Sequence, residues 1–407
     1  MKIIVAHTFY QQPGGEDTVF GEEVQLLRDA GHDVATYTRS NSEIAHYGPL
    51  EKLRLIPNSI WSRGSKQHFA AVLDRERPSI VHFHNTFPLM SPSVYAACKE
   101  RNIAVVQTLH NFRLICPSAA LFRNGSPCEE CIGGIPWRGI VHGCYHGSRP
   151  ATATVAAMIT ANRAWGSWTN LVDRFIVCSQ FARDRFVQGG LPPEKIKVKP
   201  NFVAPDPGIR TNTESYAIYV GRLAEEKGLS TLLSAWSNIG DSLALHIVGD
   251  GPLRTTLEQQ CRERAIRNVH FHGRLPRHTA LEHLRRARFL VFPSECYEGF
   301  PMAIAEAFAS GIPVIASRIG STGEIVDNGL NGLTFCAGSA ESLSRQVQWA
   351  LAHPDRIDAM GLAGRHDFEQ KYSAPENYRV LINIYNSAMA ERAASEGQYG
   401  ASTAEAA

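Results

Sequence analysis

Twice along this chain, strand-length apolar runs alternate with helix-length amphipathic stretches, and a proline-rich break separates the two series. In the first half the runs are Lys2–Ala6, Val34–Thr38, Ile80–Phe83, Ala104–Thr108 and Arg174–Cys178. Several are continuously apolar rather than alternating, the pattern of strands buried on both faces of a parallel sheet. Strand and helix in regular alternation is what a doubly wound α/β sheet requires. The break, Lys199–Gly208, holds three prolines, which disfavour helix and predict a linker. Beyond it the alternation restarts with Tyr216–Val220, Leu243–Val248, Val269–His272, Phe289–Phe292 and Val314–Ala316.

A length of 407 residues suits two cores better than one. The pattern predicts a first domain over 1–203 with a Cys-rich insertion at 116–146, and a second over 204–372. A C-terminal helix within 373–389, clearest over Pro375–Met389, follows, and then a disordered Ala-, Ser- and Glu-rich tail at 390–407. A net charge of +2 gives no electrostatic case for nucleic acid. No run of about 18 apolar residues predicts a membrane span. With no signal-like segment at the N-terminus, the nine cysteines point to a reducing compartment, the cytoplasm, where clustered thiols bind metal more often than they pair.

The chemistry-bearing motifs lie at strand ends. Tyr216–Val220 runs into Gly221-Arg222-Leu223-Ala224-Glu225-Glu226-Lys227-Gly228, two cations five residues apart at the carboxyl edge of a strand. Open parallel sheets bind ligands at that edge, and a guanidinium fork with an ammonium suits a diphosphate. An ordinary solvated loop would carry the same residues. Phe289–Phe292 leads to Pro293-Ser294-Glu295-Cys296-Tyr297-Glu298-Gly299-Phe300-Pro301-Met302. Pro301 is predicted at the first position of a helix, whose N-terminal amides near Gly299–Met302 form an anion site. Glu298 stands before that helix and Glu306 between one and two turns inside it. Glu306 either faces solvent or binds sugar hydroxyls; its neighbours Ala305, Ala307 and Phe308 are apolar, which favours binding.

Together these motifs, with Val248-Gly249-Asp250-Gly251-Pro252 and Ser317-Arg318-Ile319-Gly320, resemble the retaining glycosyltransferases of family 4 over about residues 216–335. The resemblance implies the GT-B architecture, two Rossmann-like domains facing a central cleft. It implies that Arg222 and Lys227 neutralise the donor diphosphate, that Glu298 contacts the transferred sugar, and that Glu306 holds the ribose. Gly249, Gly299, Phe300, Pro301 and Met302 complete the implied donor site. Gly14 and Gly15 fit an ordinary strand–helix turn or a loop facing the diphosphate, and the family favours the latter. His110, at the end of Ala104–Leu109, matches a family histidine near the donor sugar. His82 and His84 read as strand-end packing.

Cys116, Cys128, Cys131 and Cys144 fall within 29 residues, 116 through 144 inclusive. Four thiolates with one C-x2-C pair fit a structural zinc; buried free thiols or an iron–sulfur cluster are the alternatives. The family pattern does not include them.

The resemblance implies hexose transfer from a UDP- or GDP-sugar with retention, and the cations Arg222 and Lys227 make a catalytic metal unnecessary. The expected acceptor is a saccharide or lipid-linked saccharide of a surface polysaccharide. The basic and apolar segment Leu50–Lys66 suits peripheral contact with the inner face of the cytoplasmic membrane or packing on the first domain. A non-catalytic nucleotide-sugar-binding subunit, a phosphorylase and an epimerase are the rival readings.

Overall fold

A computed structural model of the chain describes residues 1–11 and 14–404, with side chains to residue 394. Gln12 and Pro13 of the glycine-containing loop, and residues 405–407 of the tail, lie outside them. The strands, in chain order, are β1 (Lys2–Phe9), β2 (Asp33–Ser40), β3 (Ile80–Phe83), β4 (Ala104–Leu109), β5 (Phe122–Arg123), β6 (Ser126–Pro127), β7 (Arg174–Val177) and β8 (Ile196–Val198), then β9 (Tyr216–Val220), β10 (Ala244–Val248), β11 (Val269–Gly273), β12 (Phe289–Phe292), β13 (Val314–Ser317) and β14 (Gly332–Phe335). Two compact units result.

The first unit comprises residues 1–119, 129–199 and the chain from Asn377. Its six-stranded sheet has the order β2-β1-β3-β4-β7-β8, with every pairing parallel. Ile3 and Val5 of β1 pack against Phe20, Val24 and Leu27 of the helix Gly15–Asp29 and against Leu381, Ile384 and Tyr385 of the C-terminal helix. Burying each such side chain contributes about 1.5–3 kcal/mol, which anchors that last helix in this unit. Predicted to end at 389 before a disordered tail, the helix instead runs over Ala374–Ala404. The reason is on its next turn: Arg392 is buried and donates to the buried Asp173 at 2.7 Å.

The second unit comprises residues 120–128 and 200–376. Its sheet, also six parallel strands, has the order β11-β10-β9-β12-β13-β14. Successive residues of β9 serve opposite cores. Ala217 and Tyr219 meet Leu232 and Trp236 on one face, whereas Tyr216 and Ile218 meet Leu284, Ile304 and Phe308 on the other. Chain direction through the sheet reverses between β9 and β12, the point at which such sheets open a ligand crevice at their carboxyl edge. The short strands β8 and β14 extend the two sheets beyond the predicted strands.

Candidate active site

The loops that follow β9 and β12 meet at this reversal. After β9 the chain makes a 3₁₀ turn over Glu225–Lys227 and enters the helix Leu229–Ile239 through Gly228 at φ +68°. A β-carbon on Gly228 would stand 2.0 Å from the Pro293 carbonyl oxygen, so only glycine lets the turn close on the loop after β12. The closure brings the Lys227 ammonium to 2.7 and 2.8 Å from the two carboxylate oxygens of Glu298. The Ser294 hydroxyl donates to the same carboxylate at 2.6 Å, and the Ser321 hydroxyl donates to the Glu298 carbonyl at 2.7 Å. Burial acts to raise the Glu298 carboxyl, but the Lys227 charge and these donors outweigh it and hold it below its usual range. Burial opposes the charge on Lys227, and Glu298 more than restores it, so the ammonium is raised. Burial, with the Glu298 carboxylate beside it, pushes the Cys296 thiol up to about 12, so it is no nucleophile at neutral pH.

Arg222 leaves the same loop but points outward, half-exposed and paired with Glu226 one turn on. Gly249, at φ +141°, lies where a β-carbon would stand 1.8 Å from the Gly221 carbonyl oxygen; its role here is close packing of the two loops. Gly299 and Phe300 lead into the helix Met302–Ala309, with Phe300 edge-on to Tyr372. Pro301, predicted as the first helical residue, is the N-cap instead, and the helix begins at Met302. Its φ of −81° with ψ of 86° is not helical, which moves the start by one residue. Glu306 is the fifth residue of that helix and pairs with Arg277 at 3.2 Å. Burial raises its carboxyl despite the Arg277 charge.

In the first unit a recess opens beside the carboxyl edges of β3 and β4, lined by Glu16, His84, His110, Asn111 and Arg113 among others. Glu16 accepts from Asn111 at 3.2 Å through Oε2, whereas its buried Oε1 has no protein partner. Burial raises its carboxyl. Gly14 caps the helix Gly15–Asp29, and Asp17 accepts from the Gly14 amide at 2.8 Å from inside the first turn. Neither Gly14 nor Gly15 has a positive φ or a neighbour within 4 Å of a β-carbon, so local packing demands glycine at neither position.

His110 belongs to a buried polar chain. Glu23 Oε2 accepts from Lys199 at 2.9 Å; Oε1 lies 2.8 Å from His82 Nδ1 and 3.1 Å from His84 Nε2. Burial would raise the Glu23 carboxyl, but Lys199 and the two histidines hold it well below the usual range. Ionised, it accepts from His84 Nε2–H, leaving His84 Nδ1 bare. Nδ1 stands 2.9 Å from His110 Nε2, which assigns the proton to His110 Nε2 and the lone pair to its Nδ1. Burial, with His82 beside it, lowers His84 to about 4, and burial with His84 adjacent lowers His110, so both rings are neutral at pH 7.

These loops, on this sheet order, have counterparts among known proteins. The sequence model of Glycosyltransferase Family 4 matches residues 13–207, and that of Glycosyl transferases group 1 matches 206–367. The chain belongs to this glycosyltransferase family. D-rhamnosyltransferase WbpZ of Pseudomonas aeruginosa is 31% identical over 182 residues, 44% of this chain and 47% of that protein. A GDP-mannose-dependent alpha-(1-6)-phosphatidylinositol monomannoside mannosyltransferase of Mycolicibacterium smegmatis is 29% identical over 244 residues, 54% of this chain and 63% of that protein. The chain spans about half the length of the first curated relatives it matches. Its fold is similar to that of Anabaena HepE in complex with UDP: TM-score 0.67 at 17% identity, covering 95% of this chain and 100% of that one. The architecture is GT-B.

None of the nine cysteines of this family 4 chain, all among the described residues, forms a disulfide. Three of the insertion's four belong to the first unit and gather at the helix Trp137–His142. A β-carbon on Gly139 would stand 3.7 Å from Cys131 Sγ and 3.0 Å from Pro117 Cγ, beside Cys116, and Cys144 donates its amide to the Gly139 carbonyl at 3.0 Å. Cys128 lies in the segment grouped with the second unit.

Glu16, which lines the recess, and the buried pair Glu23–Lys199 behind it were not singled out from the sequence. For Glu23 the available signal was a carboxylate on the apolar face of Gly15–Asp29, between Phe20 and Val24; Lys199 carried none.

Proposed function

We propose that this chain transfers a hexose from a UDP- or GDP-sugar to a saccharide or lipid-linked saccharide acceptor, with retention of anomeric configuration. The reading rests on the Lys227–Glu298 pair at the reversal point of a GT-B sheet. A buried ammonium locked to a carboxylate is preorganised: the cation faces the developing charge of a departing diphosphate, and the carboxylate offers acceptors to sugar hydroxyls. Arg222, exposed on the same loop, can exchange Glu226 for a phosphate oxygen through its guanidinium fork. Glu306 offers its carboxylate to the ribose diol.

No nucleophilic carboxylate remains, since Glu298 and Glu306 are committed to binding. A front-face step fits this set. The C–O bond to the diphosphate breaks with its electron pair on phosphate, the acceptor hydroxyl attacks the same face, and its proton passes to the leaving phosphate oxygen. Arg222, Lys227 and the amides of Gly299–Met302 stabilise that phosphate, and the chemistry asks for no catalytic metal. In the first unit, His110 Nδ1 and the unpartnered Glu16 Oε1 supply acceptors for substrate hydroxyls.

The GDP-mannose dependence of the Mycolicibacterium relative and the UDP bound by Anabaena HepE keep two bases open. A thermal-shift screen of UDP- and GDP-sugars, followed by transfer of labelled hexose to lipid-linked saccharides, tests the reading. Stabilisation by neither nucleotide class would overturn it.

The proposed setting is the cytoplasmic face of a membrane. Among the described residues no helix is long and apolar enough to cross one. The helix Pro49–Ile60 exposes Leu50, Leu53 and Ile56, flanked by Lys52 and Arg54, which suits an anionic surface. The structural zinc expected from Cys116, Cys128, Cys131 and Cys144 is not proposed: among the described residues these thiols do not form a group with ligand atoms within 4.8 Å of one another.

A further inference from the structure

Outside the donor loops, the second unit carries a group of histidines that sugar transfer leaves unused. His246 of β10 is in register with His270 of β11, and where the pairing shifts past Phe271 the unpaired His272 also comes beside the His246 ring. The helix Arg277–Arg286 packs on the sheet through Leu284 and brings His283 over the strands. Ring centroids of His246 and His272 lie 4.8 Å apart, and those of His272 and His283 lie 4.9 Å apart. One ring nitrogen from each of the three falls within 4.8 Å of the other two.

We propose that His246, His272 and His283 form a binding site for a first-row divalent metal ion of the zinc class. Three features carry this. Both His246 Nδ1 and His272 Nε2 are buried without a protein hydrogen-bond partner, and an unmet buried polar atom costs about 1–3 kcal/mol. Three imidazoles are the borderline-soft set that selects zinc, copper or nickel over calcium or magnesium. The cage is also held from outside: Tyr216 stacks on the His246 ring at 3.9 Å and donates its hydroxyl to the His283 carbonyl at 2.7 Å. A zinc–nitrogen bond of about 2.0–2.1 Å at tetrahedral angles places ligand nitrogens about 3.3 Å apart, within small ring adjustments of the observed spacing.

The other histidine set with suitable spacing, Glu23, His82 and His84, does not qualify. Lys199 already supplies its cation, and Thr108 and His110 engage its remaining ring nitrogens. By contrast, the second-unit ion would tie the edge strand β11 to the helix whose first residue, Arg277, holds Glu306. Metal occupancy would thereby steady the ribose-binding carboxylate.

The test is calorimetric titration of the chelator-stripped full chain with ZnCl2, beside His272→Asn/His283→Asn. Wild type should take up one equivalent more than the variant. Substitution with Co2+ separates this ion from any held by cysteines: the equivalent lost in the variant should show d–d absorption without a thiolate charge-transfer band. Equal stoichiometry in the two proteins, or a thiolate band on the lost equivalent, would overturn the site. Should the variant fail to fold, wild-type crystals grown with ZnCl2 decide: an anomalous peak among the three rings is expected, and its absence refutes the proposal.

Discussion

The ammonium of Lys227 and both carboxylate oxygens of Glu298, 71 residues apart in sequence, lie within 2.7–2.8 Å of each other. Each is a predicted donor-binding residue, and each holds the other in the absence of donor. Lys227→Ala therefore acts twice. It should remove a charge-assisted contact of about 1.5–3 kcal/mol, lowering kcat/KM roughly 10- to 150-fold, and also leave Glu298 buried without its cation. Adding Glu298→Gln to it should recover stability without recovering transfer. A double-mutant cycle read by both denaturation and kinetics checks the split.

The same pair sets a pH window. Because Glu298 is held below its unfolded value of about 4.3, it contributes stability above that pH, lost as pH falls through the folded value. Lys227 is raised, so its contribution is present below about 10.4 and lost as pH rises through the folded value. The Tm difference between wild type and Glu298→Gln should be full from about pH 5 to 10 and shrink below pH 4.

Glu306 behaves in the opposite sense. Burial raises its carboxyl, so its ionisation opposes folding as pH rises. Glu306→Ala should weaken nucleoside diphosphate binding while leaving the fold intact. Wild-type affinity in calorimetry would contradict its assignment to the ribose.

Glu23→Ala removes the carboxylate that accepts from Lys199 at 2.9 Å and leaves an ammonium 2% exposed, with Asn377 as a neutral acceptor. Breaking a buried pair in this way costs about 3–5 kcal/mol, so chemical denaturation should show a marked loss. His84→Asn, which keeps the ion pair, should instead free the His110 ring and lower transfer efficiency, with a smaller loss of stability than Glu23→Ala.

Much of the donor side was legible because its signals are local. The glycine and cations of Gly221–Lys227, and the proline before the apolar helix at Pro301, are each read within one short stretch of sequence. What sequence reading passed over is non-local. Glu23 and Lys199 meet across 176 residues, and no periodicity announces that pairing. The edge strands β8, Ile196-Lys197-Val198, and β14, Gly332-Leu333-Thr334-Phe335, interrupt their apolar side chains with lysine, glycine or threonine and so show no apolar run. Beyond Met389 a weakly hydrophobic, Ala-rich composition read as disorder, whereas the ion pairs of Arg392 with Asp173 and of Glu391 with Arg174 hold the next turn in place.

Removing exposed leucines tests the surface assignment. Leu50→Ser/Leu53→Ser should cut sedimentation with anionic vesicles without altering Tm, because both side chains are exposed. Equal sedimentation would show that this helix is not the contact.

The most direct measurement is calorimetric binding of UDP and GDP to the wild-type chain and to Lys227→Met. One of the two nucleotides should bind wild type, with affinity at least about 10-fold lower in the variant. Binding of neither nucleotide, or equal affinity in both proteins, would contradict donor recognition by the Lys227–Glu298 pair.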